Sequence, residues 1–126
     1  MEKEVLIELA GLKLRARLNQ SEVAEAIWNA LPLEAQGRLW GDELYFSVPV
    51  SLSARHPQEV VEKGDLAYWA AGPALCIFWG PTPASKGDEC RPASPVEVIG
   101  RVLEEPSVLK KIKAGPVRLS KAGVVS

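Results

Sequence analysis

Residues 64–83 read GDLAYWAAGPALCIFWGPTP, two short apolar runs joined by Ala-Ala-Gly-Pro. They contain Tyr68, Trp69, Cys76, Phe78 and Trp79. Runs of this length and composition, punctuated by Gly and Pro, form strands, and the short connection makes the pair a hairpin. Aromatic side chains supply a large contact area at little entropic cost, so such a hairpin serves equally as a pocket wall or as core. Because side chains alternate across a strand, Tyr68 and Trp69 cannot share a face, nor can Phe78 and Trp79. One member of each pair is expected in the core and the other on a pocket side.

Alternation continues on both sides of this hairpin. Upstream, Val5, Ile7 and Leu9 share one face of residues 4–9. After Ala10-Gly11, Leu12, Leu14, Ala16 and Leu18 alternate with Lys13, Arg15 and Arg17, which makes a first hairpin. Asn19 and Ser21 offer N-caps, with Glu22 at capping-box spacing from Asn19. Val23, Ile27, Ala30 and Leu31 then recur at helical spacing until Pro32. Residues 33–50 alternate as a second hairpin that turns at Gly41-Asp42. Residues 51–63 read as a surface connection with a short helical turn at 57–61.

Downstream, the proline-rich segment 81–95 has a surface-loop composition of the kind that often edges a binding site. Val96, Val98 and residues 99–103 form another strand, and Gly100 within it marks a bulge or a close backbone approach. Pro106 suits a first helical turn. Val108, Leu109 and Ile112 give that helix an apolar stripe, Lys110, Lys111 and Lys113 lie near its C-terminal end, and Gly115 closes it. Val117 and Leu119 begin a last strand, with the tail from Lys121 read as frayed or as an edge. Several strands, two short helices and no βαβ repeat make the chain mainly β, and closure into a barrel removes the sheet edges.

The totals narrow the function classes. With 126 residues and 47% hydrophobic content, the chain fits one compact domain over 1–126 that buries roughly two thirds of its unfolded surface. Net charge is −1 with both signs interspersed, which argues against nucleic acid as a partner. The start, Met1-Glu-Lys-Glu, carries no apolar signal region, and no apolar run reaches membrane-spanning length, so a cytoplasmic protein without membrane contact is expected. Cys76 lies in an apolar run and Cys90 in a polar one, and in that compartment both are expected as free thiols. With His56 the sole histidine, no zinc spacing exists, and neither metal nor cofactor is expected.

The order of elements resembles that of the cyclophilins. GDLAYWAAG (64–72) followed by ALCIF (74–78) is similar to two strands at the cyclophilin active site. VIGRV (98–102), VLKKI (108–112) and VRL (117–119) resemble the family's Val-Phe-Gly-Lys-Val strand, second helix and closing strand. Trp40-Gly41, Tyr45-Phe46, Gly64-Asp65, Tyr68-Trp69, the Gly80-x-Thr82-Pro83 motif and Pro92-Ala93-Ser94 together resemble small prokaryotic cyclophilin-like proteins of unassigned function. The resemblance implies a cyclophilin-like closed β-barrel with two short α-helices.

Departures from the prolyl isomerases bear on activity. Those enzymes carry an arginine on a strand corresponding to about 44–48, where this chain has Tyr45, Phe46 and Ser47. Their phenylalanine beneath the substrate proline falls at Cys76 or Ile77, and their histidine at Val96. Isomerisation needs a preorganised donor as the twisted amide loses conjugation, so loss of the arginine removes the main electrostatic contribution.

The resemblance and the aromatic hairpin together put a ligand-binding groove at Tyr45, Tyr68, Trp69, Cys76, Phe78, Thr82 and Ser85, taking a small molecule or peptide without isomerase chemistry. Several of these residues also have plain structural roles open to them. Thr82 and Ser85 can make local turn bonds, Cys76 can be a buried thiol with no base beside it, and Asp65 can be a turn residue. Glu89 and Arg91 fit a surface pair, and His56 fits a solvated loop. The alternatives are a weak or altered prolyl isomerase and an assembly protein, homo-oligomeric or otherwise, whose exposed tryptophans bury in a partner. Cyclophilin-like domains also resemble parts of carboxyltransferases and amidolyases, but the further domain and the biotin-attachment signature of those enzymes are not seen here.

Overall fold

The computed structural model describes residues 2–125. Eight strands and two helices follow in the order β1 (Glu2–Leu9), β2 (Leu12–Leu18), α1 (Glu22–Ala30), β3 (Leu33–Leu39), β4 (Glu43–Ser47), β5 (Asp65–Trp69), β6 (Ala74–Phe78), β7 (Glu97–Val102), α2 (Pro106–Leu109) and β8 (Gly115–Val125). The strands close into an antiparallel barrel in the order β1-β2-β7-β5-β6-β4-β3-β8, with β8 returning to β1. Closure gives every strand a neighbour on each side, as the mainly β reading requires, although the β3–β4 and β2–β7 ladders are short, with two and three residue pairs.

The alternation anticipated in the first hairpin sends Val5, Ile7, Leu14, Ala16 and Leu18 into the barrel. There they meet Leu44, Phe46, Leu66, Tyr68, Leu75, Ile77 and Ile99. Helix α1 adds Val23, Ala24, Ile27 and Trp28, and Leu109 and Ile112 join from the second helical segment. Tyr68 is held inside by its hydroxyl, which donates to the Val50 carbonyl at 2.8 Å and accepts from the Leu52 amide at 3.1 Å.

Of the two N-cap candidates one holds, and three other local expectations are corrected. Ser21 is the N-cap of α1, its hydroxyl accepting from the Ala24 amide at 3.2 Å. Asn19 instead ties the chain to β7 through Val98 and Ile99 carbonyls, because that pairing continues the β2–β7 ladder. Residues 57–61 form no helical turn. Gln58 and Val61 make isolated bridges to Val96 and Cys90, so this segment lies against the proline-rich loop. Helix α2 ends at Leu109, after which the Lys111 and Ile112 amides bond carbonyls three residues back, the tighter pattern of a fraying helix end. The tail is not frayed: β8 pairs with β1 as far as Val125.

Gly100 fulfils both roles its position suggests. The β5–β7 register slips between Leu66 and Ala67, and a Cβ on Gly100 would stand 2.5 Å from the Arg17 carbonyl oxygen. The close β2–β7 approach therefore depends on the missing side chain.

Candidate functional site

Strand β6 is apolar on both faces, and the outer faces of β4 and β5 are only partly polar, unlike that of β2, whose outward residues are charged. Leu44, Phe46, Leu75, Ile77, Leu66 and Tyr68 point into the barrel, so the alternate residues face outward. The outward Ala67, Cys76 and Phe78 form a second cluster with Val61, Cys90 and Val96, against which Tyr45, Trp69 and Val98 pack. Apolar area on the outside of a barrel needs a cover. Here the cover is the 81–95 loop together with the segment around Val61.

The loop is fixed by its own polar groups. Thr82 Oγ1 donates to the Arg91 carbonyl and accepts from the Ala84 amide at 3.2 Å. Ser85 Oγ accepts from the Thr82 amide at 2.9 Å and donates to the Glu89 carbonyl. The Glu89 carboxylate accepts from the Lys86 and Gly87 amides and from Arg91, and these bonds hold its pKa down at about 2. The loop docks on the β3–β4 turn where the Asp42 amide donates to the Pro81 carbonyl at 2.9 Å. It docks on β5 where Trp69 Nε1 donates to Ser94 Oγ at 2.5 Å.

Between the loop and the strands lies a cavity of about 260 Å³. Its lining comprises Trp40, Glu43, Tyr45, Trp69, Cys76, Pro92, Ala93 and Val96. Trp69 is positioned twice, by Ser94 and by Gly72 in the β5–β6 turn, where a Cβ would come within 2.7 Å of the indole. The Tyr68–Trp69 pair separates, with Tyr68 inside the barrel and Trp69 at the cavity. The Phe78–Trp79 pair separates in the opposite sense, Phe78 outside beneath the cover and Trp79 with the interior cluster.

Of the residues marked in the sequence, the cavity brings together Tyr45, Trp69 and Cys76. Tyr68 lies in the barrel, Phe78 is fully buried, and Thr82 and Ser85 are bonded within the loop. Asp65 closes a turn, accepting from the Glu62 amide at 2.8 Å and pairing with Arg101 at 3.1 Å. His56 is exposed. Cys76 and Cys90 are free and buried. Among the described residues no group of His, Cys, Asp and Glu is placed to hold a metal ion, and no helix is long and apolar enough to cross a membrane.

Glu43 is the residue the sequence did not single out. It is 5% exposed and sits at the cavity wall. The Cys76 thiol donates to its carboxylate, while Oε1 is buried with no hydrogen-bond partner. Burial pushes the Glu43 pKa up to about 7. Burial and the Glu43 charge together push the Cys76 thiol well above its ordinary range, the opposite of what activates a nucleophilic cysteine.

A family model described as cyclophilin-like matches residues 3–119. Among solved structures, a hypothetical protein from Archaeoglobus fulgidus, determined in solution, is 34% identical and superposes with a TM-score of 0.81, over 96% of this chain and 95% of that one. McbB, solved in complex with tryptophan, superposes with a TM-score of 0.76 at 19% identity, a likeness of fold. That superposition covers 97% of this chain and 46% of McbB. No curated protein matches the chain.

Proposed function

The chain belongs to the cyclophilin-like family, and from that premise we propose that it is a ligand-binding barrel whose site is the covered cavity on the outer face of β4, β6 and β5. The observation that carries this reading is the cavity itself, an apolar space of about 260 Å³ walled by Trp40, Tyr45 and Trp69 under a loop held by its own hydrogen bonds. Binding sites for small molecules are mostly apolar, largely preformed, and carry few polar groups to fix orientation. A volume just below the roughly 300–1,000 Å³ typical of drug-sized ligands suits a compound of one or two rings, or a single side chain of a peptide.

Prolyl isomerase chemistry is the second reading, and one placement favours it. Arg38 on β3 stands directly across from Tyr45 in the β3–β4 ladder, so a guanidinium flanks the site from the neighbouring strand. It does not line the cavity, whose described lining contains no lysine or arginine. Isomer-exchange kinetics on a short proline peptide are expected to show no acceleration. Catalysis that Arg38→Ala abolishes would establish the second reading instead.

The binding reading is tested on protein purified from its native cells under non-denaturing conditions, by native mass spectrometry and a crystal structure. A bound small molecule is expected between Trp69 and Ala93. Ala93→Trp, at the exposed rim, is expected to expel it while leaving the melting temperature within a few degrees. Retention of the molecule in that variant, or a cavity filled by the protein's own side chains, refutes the assignment.

A further inference from the structure

We propose that the ligand of this cavity carries a positively charged amino group, received by the Glu43 carboxylate among the rings of Trp40, Tyr45 and Trp69. The inference rests on the binding reading above and names the chemical class of its ligand. Three observations converge on it. Glu43 is a carboxylate 95% removed from solvent, with one oxygen lacking any partner in the protein. Buried acceptors are almost always satisfied, and the exceptions mark places where something else supplies the donor. The walls beside it are three aromatic rings, whose negative faces attract cations. Among the described residues no lysine or arginine pairs with Glu43, so once ionised its charge meets no internal counter-charge.

The groups facing Glu43 define how it responds to pH. From β6 comes the Cys76 thiol, and from its own strand β4 the Tyr45 phenol. The β3 end contributes Trp40, and the loop and the start of β7 contribute Pro92, Ala93 and Val96, which do not titrate. Burial keeps Cys76 a neutral thiol throughout the neutral range. Glu43 therefore supplies the ionisation near neutrality: protonated below about pH 7, it must lose its proton to receive an ammonium group. Affinity for a cation accordingly rises with pH below that point and levels off above it.

Isothermal titration with phenethylamine, protonated across the range, and with its uncharged analogue 2-phenylethanol, between about pH 5.5 and 8.5, tests this. Expected is a preference for the amine of about tenfold or more at the alkaline end, falling toward acid by up to about tenfold per pH unit. Glu43→Gln is expected to abolish both the preference and the slope while retaining 2-phenylethanol binding. Equal binding of the two probes by the wild type overturns the amine assignment and leaves the cavity reading standing, and so does a slope of opposite sign, in which the protonated carboxyl acts as donor. Binding of neither probe overturns both. The wild-type pH profile decides the matter even if the variant does not fold.

Discussion

At the scale of single residues, Glu43 is where this chain departs from ordinary barrel chemistry. Its carboxyl pKa, raised from 4.5 to about 7, means that the folded protein binds this proton more tightly than the unfolded chain does. The resulting stabilisation is present below about pH 4.5 and is lost as pH rises through 7, to the extent of about 3 kcal/mol. Urea titrations of wild type and Glu43→Gln at about pH 5 and 8 should show the variant gaining on the wild type as pH rises, reaching an advantage of about 2–3 kcal/mol at the alkaline end. A difference independent of pH would show that Glu43 titrates normally. The sequence offered little warning of this residue. Glu43 follows Gly41-Asp42 in a turn and alternates with Leu44, so it reads as a solvent-facing polar position. What buries it is residues 81–95, distant in sequence. The available signal was the unbroken apolar run of β6, ALCIF, since strands covered on one face alternate and only those covered on both read as continuous.

Elements show where periodicity is a reliable guide. Period-two alternation identified the hairpins β1–β2 and β3–β4, and apolar runs broken by Gly and Pro identified β5–β6; strand geometry required Tyr68 and Trp69 to separate, but which member faced the cavity depended on barrel closure. Thr82 and Ser85 illustrate the limit from the other side. A hydroxyl in a proline-rich loop is equally suited to a ligand or to its own backbone, and here both are bonded within the loop. Gly100 was legible in physical terms, and it carries the element-scale prediction. The β2–β7 seam comprises three residue pairs, Ala16 with Val102, Arg17 with Arg101 and Leu18 with Gly100. A side chain at Gly100 would be driven into the Arg17 carbonyl and the Leu18 Cα, 2.5 and 3.2 Å from the new Cβ. Both neighbours are backbone and cannot rotate away. Gly100→Val is therefore expected to lose at least about 3 kcal/mol, read as a lowered urea midpoint, with Gly100→Ala intermediate. Wild-type stability in Gly100→Ala would show that the seam relaxes freely.

For the whole molecule, the decisive feature is that the chain closes through its two ends. Strand β8 pairs with β3 along its first half and with β1 from Arg118 to Val125, so its final residues hold Glu2 to Val5 in the barrel. Composition alone suggested otherwise: Lys121-Ala-Gly has none of the apolar alternation of a core strand, and terminal residues ordinarily fray. Pairing prevails because β1 already borders β2 on its other side, and without β8 its second edge would stand open. Lys121 also places its ammonium 5.0 Å from the centre of the Trp28 ring, joining the tail to α1. Ending the chain after Ser120 is therefore expected to cost about 2 kcal/mol in urea unfolding and to make the protein associate at high concentration through the uncovered β1 edge, visible as a concentration-dependent sedimentation coefficient. Lys121→Ala in the full-length chain separates the two contributions, since it removes the ring contact and keeps the ladder, and its expected cost is about 0.5–1 kcal/mol with no change in association. If the shortened chain were as stable and as monomeric as the full one, residues 121–125 would be no part of the closure, and the barrel's integrity would rest on the first half of β8 alone.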